Sequence, residues 1–239
     1  MNKPILDIDG VSKTFGGLRI LTGVSMSLSS GSIVSLFGEN GSGKTTLFHL
    51  ITGFLKADQG SVSYQGYNIA NQSAAHIAQL GIGRVWQSPR IFKNISVLDN
   101  LMLAASNHPG EQLRNYLLRP KAIRQAEANL KEKAREIASL VALEGKLGET
   151  AGALSFGQQK LLSLGMLLME DTELLLLDEP FAGVNTKHIR ELSNVLLRLK
   201  TRGKCMLLIE HNRSAARAIS DRVLFLNKGT IHEEERAEN

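Results

Sequence analysis

The run Gly38-Glu39-Asn40-Gly41-Ser42-Gly43-Lys44-Thr45 constrains this chain more than any other stretch. It is a complete G-x-x-x-x-G-K-[ST] pattern, the signature of a loop that wraps a phosphate chain. Its flanks suit that task. Ile33-Val34-Ser35-Leu36-Phe37 is short, apolar and β-prone, and reads as a buried strand. Thr45-Thr46-Leu47-Phe48-His49-Leu50-Ile51 reads as the helix that follows. Glycines let the backbone close around an anion because no Cβ blocks the approach. The loop N–H groups and the helix N-terminus then supply a favourable field. Lys44 is placed to reach the β- and γ-phosphates, and the Thr45 hydroxyl to ligate Mg²⁺. A glycine-rich turn that carried Gly-Lys-Thr by chance would not need both the strand and the helix.

With 239 residues and 43% hydrophobic content, the chain can bury the core of one large domain, or of a core plus a subdomain. The net charge of +5 is not concentrated. No dense Lys/Arg block interleaves with aromatics, so solvated faces account for most of the charge and no nucleic-acid partner is expected. Cys205 is the single cysteine, which excludes an internal disulfide, and its apolar run Cys205-Met206-Leu207-Leu208-Ile209 reads as the setting of a buried structural thiol. The opening Met1-Asn2-Lys3-Pro4-Ile5-Leu6-Asp7 lacks the apolar stretch of a signal peptide, and Leu161 to Met169 is apolar but too short to span a bilayer. A cytosolic protein is expected, one that can act at a membrane only by docking on the spanning helices of others.

Along the chain, residues 3–37 hold short β-like runs: Ile5 to Asp9 alternates in part, and Val24-Ser25-Met26-Ser27-Leu28 alternates strictly. Gly60 to Gly66 looks like a further half-exposed strand, which gives a partly antiparallel β-layer. From about Ile91 to Leu154 the character turns helical. Ile123, Ala126, Leu130, Ala134, Ile137 and Val141 form a stripe at spacings of three and four, after breaks at Pro109-Gly110 and at Leu117-Leu118-Arg119-Pro120. Leu174 to Leu177, Cys205 to Ile209 and Val223 to Leu226 then alternate with helical stretches, the pattern of a parallel sheet covered on both faces. The class expected is α/β with an inserted helical subdomain. The tail from Glu233 to Asn239 is charged and expected to fray.

A second constellation stands at the end of the four leucines. Asp178 and Glu179 fall where an open α/β sheet binds its ligand. Asp178 can hold Mg²⁺ opposite Thr45, and Glu179, pointing differently, can polarise a water. Leu154-Ser155-Phe156-Gly157-Gln158-Gln159-Lys160 comes third. Ser155 with Gln158 fits a capping box at the start of a buried helix, and the same N-terminus offers a second anion site. Phosphate loop, Leu-Ser-x-Gly-Gln and Leu174 to Pro180 occur together in one order, and over essentially its whole length the chain resembles the ATP-binding-cassette ATPases.

That resemblance implies a RecA-like P-loop NTPase core over about 1–88 and 159–227, a helical subdomain over about 89–158 and a charged tail over 228–239. It implies ATP and Mg²⁺ as ligands, held by Gly38, Glu39, Asn40, Gly41, Ser42, Gly43, Lys44, Thr45 and Thr46. It also implies a second cassette, identical or not, whose nucleotide Ser155, Gly157 and Gln158 contact. Glu179 matches the catalytic carboxylate, and Gln87 matches the loop glutamine that senses the metal. His211 matches the switch histidine near the γ-phosphate. Phe15 matches the aromatic that stacks on adenine.

Three departures from the commoner pattern stand out. Phe156 replaces a glycine, Asn185 an aspartate, and Ser163-Leu164-Gly165-Met166-Leu167 lacks a usual arginine. None removes a group that binds phosphate or metal. Leu50-Ile51-Thr52-Gly53-Phe54, Arg90-Ile91-Phe92, Ile95 to Leu101 and Ala182-Gly183-Val184-Asn185 resemble most the cassettes of branched-chain amino acid and urea uptake. The partners so implied are transmembrane permease subunits and a solute-binding protein, at the cytoplasmic face of the membrane. Residues about 87–105 would receive a cytoplasmic helix of the permease. The lipopolysaccharide-export ATPase is similar over Asp178 to Val184 and His211-Asn212. A soluble cassette of the iron–sulfur assembly type is the alternative of another class.

Overall fold

The computed structural model describes residues 4–70, 72–105 and 120–234. The sequence breaks at Pro109-Gly110 and Leu117 to Arg119, and the tail beyond residue 234, lie outside the described residues. The chain groups into two compact units. The first comprises residues 1–87, 173–182 and 196–239, the second residues 88–172 and 183–195.

In the first unit, β1 (Leu6–Phe15) and β2 (Leu18–Leu28) form an antiparallel pair. With β4 (Gln59–Tyr64) and β5 (Tyr67–Asn68) they make a four-stranded sheet in the order β2-β1-β4-β5. Alternation explains the pairing: Leu6 and Ile8 are buried while Asp7 and Asp9 between them are exposed. A six-stranded sheet carries β3 (Ile33–Phe37), β6 (Ile82–Val85), β7 (Leu174–Asp178), β8 (Cys205–Ile209), β9 (Arg222–Asn227) and β10 (Thr230–Glu233). Its order is β10-β9-β3-β8-β7-β6, parallel except for the terminal β9–β10 hairpin.

All five residues of β3 and all five of β8 are buried, as are Leu174 to Leu177 of β7. Unbroken apolar runs of this kind are what a sheet covered on both faces requires. Cys205 is part of that interior, and burial pushes its thiol up to about 12. Within the stretch 228–239 expected to be a charged tail, Thr230 to Glu233 form β10, with Lys228 and Gly229 both at positive φ in the two-residue turn before it. Helix α1 (Lys44–Ile51) follows β3, and α2 (Ala74–Gln79) follows β5.

In the second unit the helices are α3 (Val97–Leu103), α4 (Pro120–Leu140) and α5 (Phe156–Leu168). Of the expected stripe, Ile123, Ala134, Ile137 and Val141 are buried and Ala126 and Leu130 half-buried, and Ala138 beside them is buried too. Gly165 on α5 is where the three helices meet. A Cβ there would lie 3.0 Å from Leu101 and 3.4 Å from both Ile137 and Val141, so a larger residue would push the helices apart. Asn100 is fully buried and ties down the preceding loop. Its Oδ1 accepts from the Phe92 N–H at 2.8 Å, and its Nδ2 donates to the Phe92 and Ser96 carbonyls at 3.0 and 2.9 Å. Helix α6 (Thr186–Thr201) and α7 (Arg213–Arg217) complete the described helices of more than one turn. No helix among the described residues is long and apolar enough to cross a membrane.

Candidate functional site

The loop between β3 and α1 is shaped by close approach. A Cβ on Gly38 would sit 2.5 Å from the Leu226 carbonyl oxygen and 2.6 Å from Ser42 Oγ. Gly43 has φ +107°, and a Cβ there would meet Leu21 at 2.8 Å. Gly43 is also the N-cap of α1, with no side-chain cap, so the first-turn N–H groups are left for something outside the helix. Ser42 Oγ is buried without a hydrogen-bond partner. Lys44 is buried, and its Nζ donates to the Gly38 and Glu39 carbonyls at 2.6 and 2.9 Å. Burial pulls its pKa below the ordinary lysine value, while the charges of Glu179 and Asp178 act in the opposite sense. A cationic amine, an orphaned hydroxyl and an uncapped helix start together form an anion site.

Strand β7 delivers the acids to this loop. Asp178 ends the strand, in register with Ile209 of β8. Glu179 then turns the chain at φ +49°, a left-handed conformation uncommon for a residue with a side chain. Its N–H donates to the Ile209 carbonyl at 2.9 Å, which holds the turn. Gln87 Nε2 donates to Glu179 Oε2 at 2.6 Å, and His211 Nε2 lies 3.2 Å from Glu179 Oε1. Gln87 and His211 therefore both contact the carboxylate of Glu179, one at each oxygen. Phe15, Asn40, Gly41, Gly43, Lys44, Thr45, Thr46, Asp178, Glu179 and His211 line one cavity of about 320 Å³ together with Ile20 and Ile209. Phe15 is 45% exposed, with the Lys13 ammonium 5.4 Å from its ring centre. A larger cavity of about 580 Å³, lined by Glu39, Arg213, Phe225 and His232 among others, shares only His211 with it. It lacks the lysine and both acids, so size does not identify the phosphate site.

Ser155, Gly157 and Gln158 belong to the second unit and form a group of their own. Ser155 is the N-cap of α5 in a full capping box: its Oγ accepts from the Gln158 N–H at 3.3 Å, and Gln158 Oε1 accepts from the Ser155 N–H at 3.0 Å. Ser155 Oγ also lies 3.2 Å from His188 Nε2, and His188 Nδ1 lies 2.7 Å from Glu191. Gly157 is required by the same histidine, since a Cβ would stand 2.8 Å from the His188 Cβ. Phe156, where the commoner pattern has glycine, sets its ring 3.1 Å from the Cβ position of Gly183.

Three residues that sequence reasoning missed complete the picture. His188 is one. Glu210 is another: it is 1% exposed, and its carboxylate accepts from the N–H groups of Phe181, His211 and Asn212 at 2.7, 3.0 and 3.2 Å. It thereby fixes the turn after Glu179 and the backbone at His211 at once. Arg84 is the third, an arginine in an otherwise apolar strand, paired with Asp178. Its charge, after burial, holds the His49 pKa below its ordinary value, against the influence of Asp178.

Comparisons with known proteins give the family. Residues 21–182 match the ABC transporter family. The chain is 38% identical over 234 residues to the probable branched-chain amino acid transport ATP-binding protein LivG of Methanocaldococcus jannaschii, spanning 98% of this chain and 90% of that one. It is 33% identical to the high-affinity branched-chain amino acid transport ATP-binding protein BraF of Pseudomonas aeruginosa, over 96% of this chain and 90% of the relative. Among solved structures, a nucleotide-free ATP-binding cassette from an ABC transporter superposes with a TM-score of 0.83 at 35% identity, covering 98% of this chain and 92% of the other. An ABC-transporter cassette in its ADP conformation gives a TM-score of 0.82 at 32% identity, over 97% and 90%. A phosphate loop, two acids at a strand end and full-length kinship converge: the chain belongs to the ABC transporter family and is one of its ATP-binding cassettes, whose general activity is ATP hydrolysis coupled to transport.

Proposed function

We propose that this cassette powers branched-chain amino acid uptake through separate membrane subunits, as a peripheral protein on the cytoplasmic face. The observation that carries the reading is similarity at 38% and 33% identity, over 98% and 96% of the chain, to proteins named for that transport. Neither the export-type nor the iron–sulfur-type alternative has comparable support. Two cassettes act as a pair, with the permease and a solute-binding protein as partners. The stretch 87–105 receives a cytoplasmic helix of the permease, and Phe92 and Leu103, 58% and 64% exposed, offer apolar surface to it.

The mechanism follows from the groups at the site. Lys44 leaves the Gly38 and Glu39 carbonyls for the β- and γ-phosphates, and the uncapped N–H groups of α1 bind the same anion. Thr45, Gln87 and Asp178 are oxygen donors of the hard type that Mg²⁺ selects, and they would hold it. Bound there, Mg²⁺ neutralises phosphate charge. Glu179 orients water for in-line attack on the γ-phosphate, and His211 and Gln87 steer that carboxylate. Ser155, Gly157 and Gln158 close the partner's site and exclude water from it.

Reconstitution tests the transport reading. The cassette, co-expressed with its permease subunits in proteoliposomes, should hydrolyse ATP faster when solute-binding protein loaded with leucine, isoleucine or valine is present. Recovery of the cassette only with a soluble partner would overturn it. For the site, Glu179→Gln should leave ATP affinity within about threefold and lower turnover at least about a hundredfold. Near-normal turnover in that variant removes Glu179 from the role.

A further inference from the structure

Arg84 sits where charge is expensive to hide. Its side chain is 4% exposed, and that of its partner Asp178 is 14% exposed. The position follows from the sheet: Arg84 pairs with Leu176 across β6 and β7, and Asp178 lies two residues further along the same face. Nη2 donates to Asp178 Oδ2. The guanidinium lies 4.0 Å over the Trp86 ring and 5.3 Å from the Phe48 ring centre. Nε and Nη1 are buried with no hydrogen-bond partner. An arginine with two unmet donors is a costly way to join two strands, because buried donors lose water without replacement. Stacking on Trp86 and Phe48 and neutralising Asp178 are what its position offers in return.

The other charged groups of the site have alternative partners. Lys44 is satisfied by loop carbonyls, and Glu179 by Gln87 and His211. For Asp178 the counter-charge in direct contact is Arg84. We propose that Arg84 is the resident counter-ion of Asp178, a positioning residue that balances the carboxylate whenever no divalent cation is bound and shares it when one is. This rests on the reading of Asp178 as a metal ligand. Only Nη2 is committed to the carboxylate, through Oδ2, so the Arg84 contact does not use Oδ1. The consequence is a site that does not depend on metal for its integrity and that holds divalent cations only weakly without nucleotide. Lysine cannot substitute, since it lacks the flat face that stacks on Trp86.

A merely structural strand-to-strand ion pair predicts lost stability that no cation recovers. The two ideas separate in thermal melting and Mn²⁺ titration of the full-length chain without nucleotide. Breaking a buried pair from one side in Arg84→Met should lower the melting temperature in EDTA by about 10 °C. Mn²⁺ should recover most of that loss in Arg84→Met while moving the parent by less than about 2 °C. Mn²⁺ affinity, read by electron paramagnetic resonance, should rise about tenfold in the variant. An equal Mn²⁺ response in parent and variant overturns the proposal. If Arg84→Met does not fold in EDTA, Arg84→Met/Asp178→Asn decides. Removing both charges should restore a folded chain with no Mn²⁺ response, and a double variant no more stable than the single one overturns the proposal. Asp178→Asn alone checks the underlying reading. If it retains parental affinity for Mn²⁺ together with ADP, Asp178 is not a ligand and the proposal falls with that reading, whatever Arg84→Met does.

Discussion

The starts of α1 and α5 are both expected to face phosphate, and they are built in opposite ways. At α1 the N-cap is Gly43, which has no side chain to offer, and Ser42 beside it keeps an unpartnered buried hydroxyl. At α5 the N-cap is Ser155, whose Oγ and backbone N–H are both satisfied within a closed capping box and whose hydroxyl is also engaged by His188. The first helix start is incomplete without a ligand. The second is complete as structure and needs none to be stable. A group that is finished in the free chain can be lent to another molecule's nucleotide, whereas an unfinished one belongs to a site of its own. This difference supports the assignment of the phosphate loop to the cassette's own ATP and of Ser155 to the partner's.

Glycine substitutions break the comparison most sharply. Gly43→Ala puts a Cβ at φ +107° and against Leu21, so strain and clash add. The expected result is a loss of ATP affinity of about a hundredfold, measured by calorimetry or fluorescent nucleotide, with the chain still folded. No second-site change should recover it, because the backbone angle itself is at fault. Gly157→Ala meets a different obstacle, the His188 Cβ at 2.8 Å. Overpacking there should lower the melting temperature by roughly 5 °C. Removing the Cβ that it meets, in Gly157→Ala/His188→Gly, should return part of that loss, less what a glycine inside α6 costs. If Gly43→Ala can be rescued and Gly157→Ala cannot, the contrast drawn between the two helix starts is wrong.

How much of this was legible in the sequence depends on how far apart the cooperating residues lie. The phosphate loop, β7 with its two acids, and the α5 cap are local patterns, readable within a window of ten or so residues. The long β2 was read only at its Val24 to Leu28 end, because Gly23 and the register shifts between β1 and β2 interrupt its alternation. Strand β10 leaves little trace because Ile231 is the one apolar residue among Thr230 to Glu233, as an edge strand permits. Arg84 and Asp178 are 94 residues apart, and Ser155 and His188 are 33 apart. Neither pair leaves a periodic trace, so both became visible only when the fold brought them together. Gln87 and His211 were legible only through family resemblance, and their contacts with Glu179 give them a physical reason.

The smallest effect is the most discriminating, since it asks whether Ser155 acts as a cap, as a phosphate donor, or as both. Ser155→Ala removes a cap worth about 1 kcal/mol, a drop in melting temperature of about 3 °C for a chain of this size. Ser155→Asp keeps an N-cap acceptor and adds a negative charge that the helix dipole favours, so stability should return to within about 1 °C of the parent. That same charge would face the partner's γ-phosphate. Turnover in the assembled transporter should then fall further in Ser155→Asp than in Ser155→Ala, although Asp is the better cap. If Ser155→Asp restores turnover together with stability, the hydroxyl is a cap alone, and the contrast between a finished and an unfinished helix start carries no functional meaning. If stability returns and turnover does not, the finished helix start is the one that serves a neighbour.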